Sequence, residues 1–217
     1  MAITEHATRD TIKILRFDMV QRSAHWANAA IFGVLMFTAI PLYFGSFLGV
    51  VFPRHVIAEI HLWSGLALPI PVIVSLLGPW GRQMRRDVHR FSFWTRQEIE
   101  WLRSFARTPI EADKFNPGQK LNAIFIGAVI IVMLATGSVL QWFRFFPVPW
   151  RQGATFVHDG VALVIFVVVF GHIIMALTHR DSLRSIFKGW VSERWAAAHA
   201  AGWLKELRAT DDSAEHS

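Results

Sequence analysis

The stretch FVHDGVALVIFVVVFGHIIMAL, residues 156–177, carries two histidines, His158 and His172, in an otherwise apolar run. Two more, His25 and His61, stand in similar surroundings, in AHWANAAIF and EIHLWSGLA. Ionisable side chains are rare inside hydrocarbon and mark functional sites where they occur. A neutral imidazole has one donor and one acceptor nitrogen, and each is costly to leave unpaired away from water. The acceptor nitrogen is a good ligand for iron, and haem iron is commonly held by axial histidine. Two facing rings fill both axial positions, which favours electron transfer over substrate chemistry at the metal. The other six histidines, His6, His55, His89, His179, His199 and His216, lie outside the apolar runs or at their edges and read as surface or interface residues. His179, seven positions after His172 on nearly the same stripe, ranks second to it as a ligand.

The elements that must position these rings are predicted from hydropathy. Of the 217 residues 53% are hydrophobic and only 18% charged. Four nearly uncharged runs, 25–50, 56–80, 120–143 and 153–178, each reach the roughly 20 residues that a helix needs to cross a bilayer. Four basic residues precede the first run, nine lie between the second and third and six follow the fourth, out of 22 in all. By the positive-inside rule both termini and the long middle loop are cytoplasmic, and the net charge of +6 reflects a membrane surface and not nucleic acid. The predicted fold is all-α: an integral membrane four-helix bundle holding two haems. It carries an amphipathic cytoplasmic loop helix and a C-terminal cytoplasmic helix. The expected boundaries are a cytoplasmic segment at 1–24, the membrane domain at 25–180 with its loop at 81–119, and a cytoplasmic helix and tail at 181–217.

Finer expectations follow. The first 24 residues lack an apolar signal-peptide core, so the first span directs insertion. Cysteine is absent, which excludes disulfides and iron–sulfur clusters held by this chain. Pro41, Pro69 and Pro71 predict kinks. Trp94, Trp101, Leu102 and Phe105 recur at helical spacing in the loop, and suit a helix lying at the headgroups or docked on a partner. The tail from Asp181 to Leu207 reads as a helix capped by Asp181 or Ser182, with the last ten residues disordered. Asn116, Pro117 and Gln119 suit the N-cap, N1 and N3 positions of the third span. No internal repeat stands out.

Depth sorts the four histidines. The spans run outward, inward, outward and inward, which places His25 and His172 near the cytoplasmic face and His61 and His158 near the outer face. Fourteen residues turn a helix by about 1400°, some 40° short of four turns, so His158 and His172 share a face roughly 21 Å apart. Gly33, Gly65, Gly160 and Gly171 leave room for a porphyrin, although helix packing alone also favours glycine. Cross-bonding of helices by the four rings, and zinc with no third ligand in either layer, are the weaker readings.

Several segments together resemble the membrane cytochrome b (gamma) subunit of respiratory formate dehydrogenase. They are RFDMVQRSAHW, EIHLWSG, KFNPGQKLN, FVHDGVA, FGHIIMA and IFKGWVSERWAAAH, within residues 14–208. The wider family includes hydrogenase cytochrome b subunits and bacterial cytochrome b561; KFNPGQK and KGWVSERWA point to the formate dehydrogenase branch. The resemblance implies two haem b groups held by His25, His61, His158 and His172. It also implies a quinone, ubiquinone or menaquinone, bound near the cytoplasmic haem by Asn116, Gly118 and Gln119. The implied partners are an iron–sulfur (beta) subunit and a molybdenum or tungsten catalytic (alpha) subunit, in the bacterial inner membrane and with room for a higher oligomer. The implied role is to carry electrons inward from an outer iron–sulfur partner and reduce quinone, with no formate-oxidising site on this chain. A nickel–iron hydrogenase subunit and a stand-alone superoxide:quinone oxidoreductase of the cytochrome b561 type share the same chemistry; a haem-free anchor does not.

Overall fold

The computed structural model describes residues 12–45 and 53–215. Among these, the long helices are α1 (Met19–Tyr43), α2 (Arg54–Ala67), α3 (Ile70–Leu77), α4 (Arg82–Ser92), α5 (Arg96–Arg103), α6 (Pro117–Gln141) and α7 (Val148–Thr178). The tail holds α8 (Arg180–Lys188), α9 (Glu193–His199) and α10 (Ala201–Glu215), and two short strands, β1 (Lys13–Leu15) and β2 (Trp190–Ser192), pair antiparallel. Four stretches are long and apolar enough to cross a membrane: α1, α2 with α3 as Arg54–Leu77, α6 and α7. The end of the first predicted run, 46–50, lies outside the described residues, as do His6 and His216.

The contacts divide the chain into two compact units. One comprises Ser23–Met84 and Ile126–Met175. Its outward side chains are large and apolar: Phe37 is 76% exposed and Phe156 82%. A surface of that kind belongs in lipid, where every backbone group must be satisfied within the helix. Pro69 interrupts the second span as predicted, ending α2 at Ala67 and restarting the chain as α3, whereas Pro41 is carried inside α1 without a break.

The other unit is built from the chain before Ser23, Arg85–Phe125 and the chain after Met175. Part of its core is apolar, with Val191, Ala196, Ala200, Trp203 and Leu204 packed against Ile14, Trp195 and Leu207. Gly189 adopts φ +88, and a Cβ there would meet Phe17 O at 2.7 Å, so the turn into β2 requires glycine. The expected single tail helix is therefore broken: α8 starts at Arg180, stops at Gly189 and is followed by β2 and two further helices. The predicted disorder of the last ten residues is also corrected, since α10 continues to Glu215. In the loop, α4 and α5 replace one amphipathic helix, and Phe105 lies outside both at φ +52. Thr95 stops continuity there by forming a capping box with Glu98.

Much of this unit is packed on charge. Lys114 is 1% exposed and Asp87 2%, and Lys114 Nζ donates to Asp87 Oδ2 at 2.6 Å. Gln21 Nε2 donates to the same oxygen. Arg16 is 3% exposed; its Nη2 donates to Lys114 O at 3.1 Å and Gln119 Oε1 at 3.5 Å, and its Nη1 to Ser185 Oγ at 3.4 Å. Burial draws the Arg16 guanidinium down to about 10 against the opposing field of Asp87. Burial also raises Asp87 and lowers Lys114, each opposed by the attraction of the other.

Two of these cations belong to a repeat that the sequence reading did not find. RFDMVQR at 16–22 and KFNPGQK at 114–120 match in type at five of seven positions, 98 residues apart. Each opens a span with the same reciprocal pair. Asp18 and Gln21 bond each other's backbone N–H at 2.8 and 3.1 Å, and Asn116 and Gln119 do so at 2.9 and 3.1 Å. These capping boxes start α1 and α6 upstream of the apolar runs. The copies also touch, with the Phe17 and Phe115 rings 6.0 Å apart.

Removing one partner of a buried ion pair leaves an uncompensated charge, at a cost of about 3–5 kcal/mol. Asp87→Ala is therefore expected to destabilise the protein by that amount in denaturant unfolding followed by tryptophan fluorescence. The double variant Asp87→Leu/Lys114→Met should recover most of the loss; a double variant no better than the single would refute the pairing.

Candidate functional site

The four span histidines all lie in the membrane-type unit. His25 projects from α1, His61 from α2, and His158 and His172 from α7. The structure brings His25 to His172 with ring centroids 6.4 Å apart, and His61 to His158 at the same 6.4 Å. These are the pairs that depth alone predicts. His179 instead forms the N-cap of α8, in the other unit.

The spacing tests whether a metal fits between the rings. A metal held by two imidazole nitrogens at about 2 Å each, plus roughly 1 Å from nitrogen to ring centre on each side, sets the centroids roughly 6 Å apart. Both pairs meet that requirement. Among the described residues no group of three or more His, Cys, Asp or Glu gathers to hold a metal ion. Two axial rings with no third side-chain ligand suit a haem, whose porphyrin supplies the remaining four donors.

The tautomer is set in one pair. Thr38 Oγ1 donates to Val34 O at 2.8 Å, and its oxygen lies 2.8 Å from His61 Nδ1. With the hydroxyl proton committed to the carbonyl, the ring N–H must be the donor. Nε2 is then the unprotonated nitrogen, free for a metal. Thr136 repeats the arrangement: Oγ1 donates to Val132 O at 2.8 Å and accepts from His158 Nδ1 at 2.9 Å. Thr38 and Thr136 are themselves one repeat length apart, and stand 23 and 22 residues before their histidines. Among the described residues His25 and His172 form no hydrogen bond through their ring nitrogens; His25 packs edge-to-face on Trp26 at 5.4 Å.

Glycines and orphaned polar atoms agree with a bulky planar group. A Cβ at Gly33, Gly160 or Gly171 would touch nothing within 4 Å, and one at Gly65 would reach only Leu35, at 3.9 Å. Gly137, which sequence reasoning passed over, lies against His158: its Cβ would sit 3.5 Å from the ring. Asn28 Oδ1, one turn from His25, and Arg151 Nε, two turns before His158, are buried without hydrogen-bond partners among the described residues. An arginine donor of that kind is suited to a haem carboxylate.

The other three predicted residues, Asn116, Gly118 and Gln119, lie in the unit with the buried charges. Asn116 Oδ1 accepts from Gln119 N, and Gln119 Oε1 accepts from Asn116 N and Arg16. Both carboxamide oxygens are thus occupied, and among the described residues neither NH2 group is. A Cβ at Gly118 would crowd Asn116 Oδ1 at 3.3 Å, so glycine keeps the box open. A cavity of about 460 Å³ in this unit, lined by His89, Arg90, Glu98, Asp113, Lys120 and Glu206 among others, contains none of the seven predicted residues. The residues that sequence reasoning missed, Thr38, Thr136 and Gly137, leave one signal: the two threonines keep the 98-residue offset of the flanking motifs.

The chain is 27% identical over 202 residues to the formate dehydrogenase cytochrome b556 subunit of Haemophilus influenzae, covering 89% of this chain and 83% of that one. It is 24% identical over 217 residues to the formate dehydrogenase cytochrome b556(fdo) subunit of Escherichia coli, covering 94% and 97%. With the nitrate-inducible cytochrome b556(Fdn) subunit of the same bacterium it shares 23% over 210 residues, covering 93% and 95%. The prokaryotic cytochrome b561 family matches residues 16–189, from the first buried arginine to the glycine before β2, and the chain belongs to that family of multi-pass membrane cytochromes.

Proposed function

We propose that this chain is the dihaem cytochrome b subunit of a membrane-bound formate dehydrogenase and carries electrons across the bacterial inner membrane to quinone. The observation that carries this reading is the equal 6.4 Å spacing of the two imidazole pairs. The names of the relatives support formate as the source of the electrons. The charge pattern supports cytoplasmic termini, with His61 and His158 on the outer side and His25 and His172 on the inner side.

On this reading His61 and His158 hold one haem b by Nε2, and His25 and His172 hold the other. A haem in each pair would supply a reversible one-electron carrier. The apolar helices exclude water from the rings and space the two pairs across the membrane. Arg151 offers its free Nε to a haem carboxylate. Asn116 and Gln119 present two amide N–H donors to a quinone carbonyl, and Arg16 and the capping box hold both amides in that orientation. Reduction of the quinone takes two electrons and two protons, the protons entering from the cytoplasm. The electrons arrive from an iron–sulfur (beta) subunit on the outer side, which receives them from a molybdenum or tungsten catalytic (alpha) subunit.

A reduced-minus-oxidised spectrum with haem quantified per chain should give two b-type haems. His25→Ala and His172→Ala should each lose one and the same haem, and His61→Ala and His158→Ala the other. A single haem in the unmodified chain, or a loss that crosses between pairs, would sink the pairing. Affinity purification of the chain from its membrane should bring down formate-oxidising activity; hydrogen-oxidising activity instead would assign it to a hydrogenase.

Asn116→Asp and Gln119→Glu keep the accepting oxygens of the cap but remove the amide donors. Each is expected to raise the KM for quinone by roughly two- to tenfold, the value of one neutral hydrogen bond. Haem reduction by the physiological donor should remain normal. Unchanged quinone kinetics in both variants would remove these residues from the quinone site.

A further inference from the structure

The two imidazole pairs are alike in spacing and unlike in their second nitrogen. His61 and His158 each give the Nδ1 proton to a threonine whose own hydroxyl proton is already committed to a carbonyl. His25 and His172 have no hydrogen-bond acceptor for that proton among the described residues. A hydrogen bond at the second nitrogen fixes the ring and makes the coordinating nitrogen more basic. A more basic axial ligand stabilises the oxidised iron over the reduced one, and a hydrogen bond to the ligand's other nitrogen is one of the protein's levers on haem potential.

We propose that Thr38 and Thr136 are positioning residues that poise the His61/His158 haem at a lower potential than the His25/His172 haem. The proposal rests on the dihaem reading above. The asymmetry makes transfer from the first site to the second downhill, a direction built from two hydroxyl groups. An independent observation supports a purposeful placement. The threonines keep the 98-residue offset that relates Arg16 to Lys114, so the two hydroxyl acceptors behind one histidine pair are a repeated element. His25 and His172 have no counterpart at that offset, where Ala123 and Val74 stand. The repeat therefore relates both threonines of one site, and its two ligands to within one residue because position 61 falls on Asp159 beside His158, but neither ligand of the other site.

The test is a potentiometric titration of the haem bands in the purified, haem-loaded complex. Thr38→Val and Thr136→Val remove the acceptor while keeping the side-chain shape. Each is expected to raise the lower-potential component, and only that component, by roughly a tenfold change in the reduced-to-oxidised ratio at fixed potential, about 59 mV for a one-electron couple. The double variant should move the same component further, and Thr38→Ser and Thr136→Ser should restore it. If the valine variants lose haem, Thr38→Ala and Thr136→Ala decide the matter, since they delete the hydroxyl without adding bulk. Two haems with unmoved potentials, or a shift in the higher-potential component, would overturn the proposal. Fewer than two haems in the unmodified chain would overturn the reading beneath it and the proposal with it.

Discussion

An imidazole ring has two nitrogens, and hydrocarbon supplies a partner to neither. The arrangement of the membrane unit follows from that constraint. Each ring stands opposite a partner ring with centroids 6.4 Å apart, and this pairing brings α7 against both α1 and α2. Once that is done, the second nitrogen remains. In one pair a threonine one span earlier takes it, using a hydroxyl that the helix backbone has already oriented. The threonine is well suited because its own proton bonds back to a carbonyl of the preceding turn, so it can only accept. A water would leave that choice open.

The two units solve opposite problems with the same chain. The membrane unit turns phenylalanine and leucine outward and pairs its imidazoles across helices. The other unit turns several of its charges inward. Lys114, Asp87 and Arg16 are nearly inaccessible, and a cationic centre of this kind holds only because each group is bonded by several others. The same cluster reaches Gln119 through Arg16. A carboxamide proposed to meet a substrate is therefore aimed by a residue 103 positions earlier.

Much of the fold was legible in the sequence, and for clear reasons. Spans follow from runs without charge, and the pairing of His25 with His172 and His61 with His158 follows from depth. The capping role of Asn116 and Gln119 follows from a four-residue pattern that involves only neighbours. What failed was what depends on distant contacts. The tail reads as one helix because nothing in local propensity announces that Gly189 must give way to a strand partner near residue 14. The loop reads as an amphipathic helix because its tryptophans recur at the right period, but Thr95 caps a new helix among them. The repeat escaped notice because it is preserved as chemistry and not as letters: Asp18 for Asn116, Arg16 for Lys114. The threonines escaped because a hydroxyl in a membrane helix normally bonds only to its own backbone, and these do that as well.

The pairing of β1 with β2 joins residues 13–15 to residues 190–192. All four spans lie between the two strands. A chain synthesised from its N-terminus inserts those spans one after another while β1 has no partner, and Arg16 stays hydrated until the last segment emerges. Closing so long a loop is slow and falls at the end of assembly. Residues 13–16 are thus among the last to be placed, and a truncated product lacking the tail leaves Arg16 without its Ser185 partner. Such an unfinished chain presents the quality-control machinery with an open, charged end that the completed molecule hides.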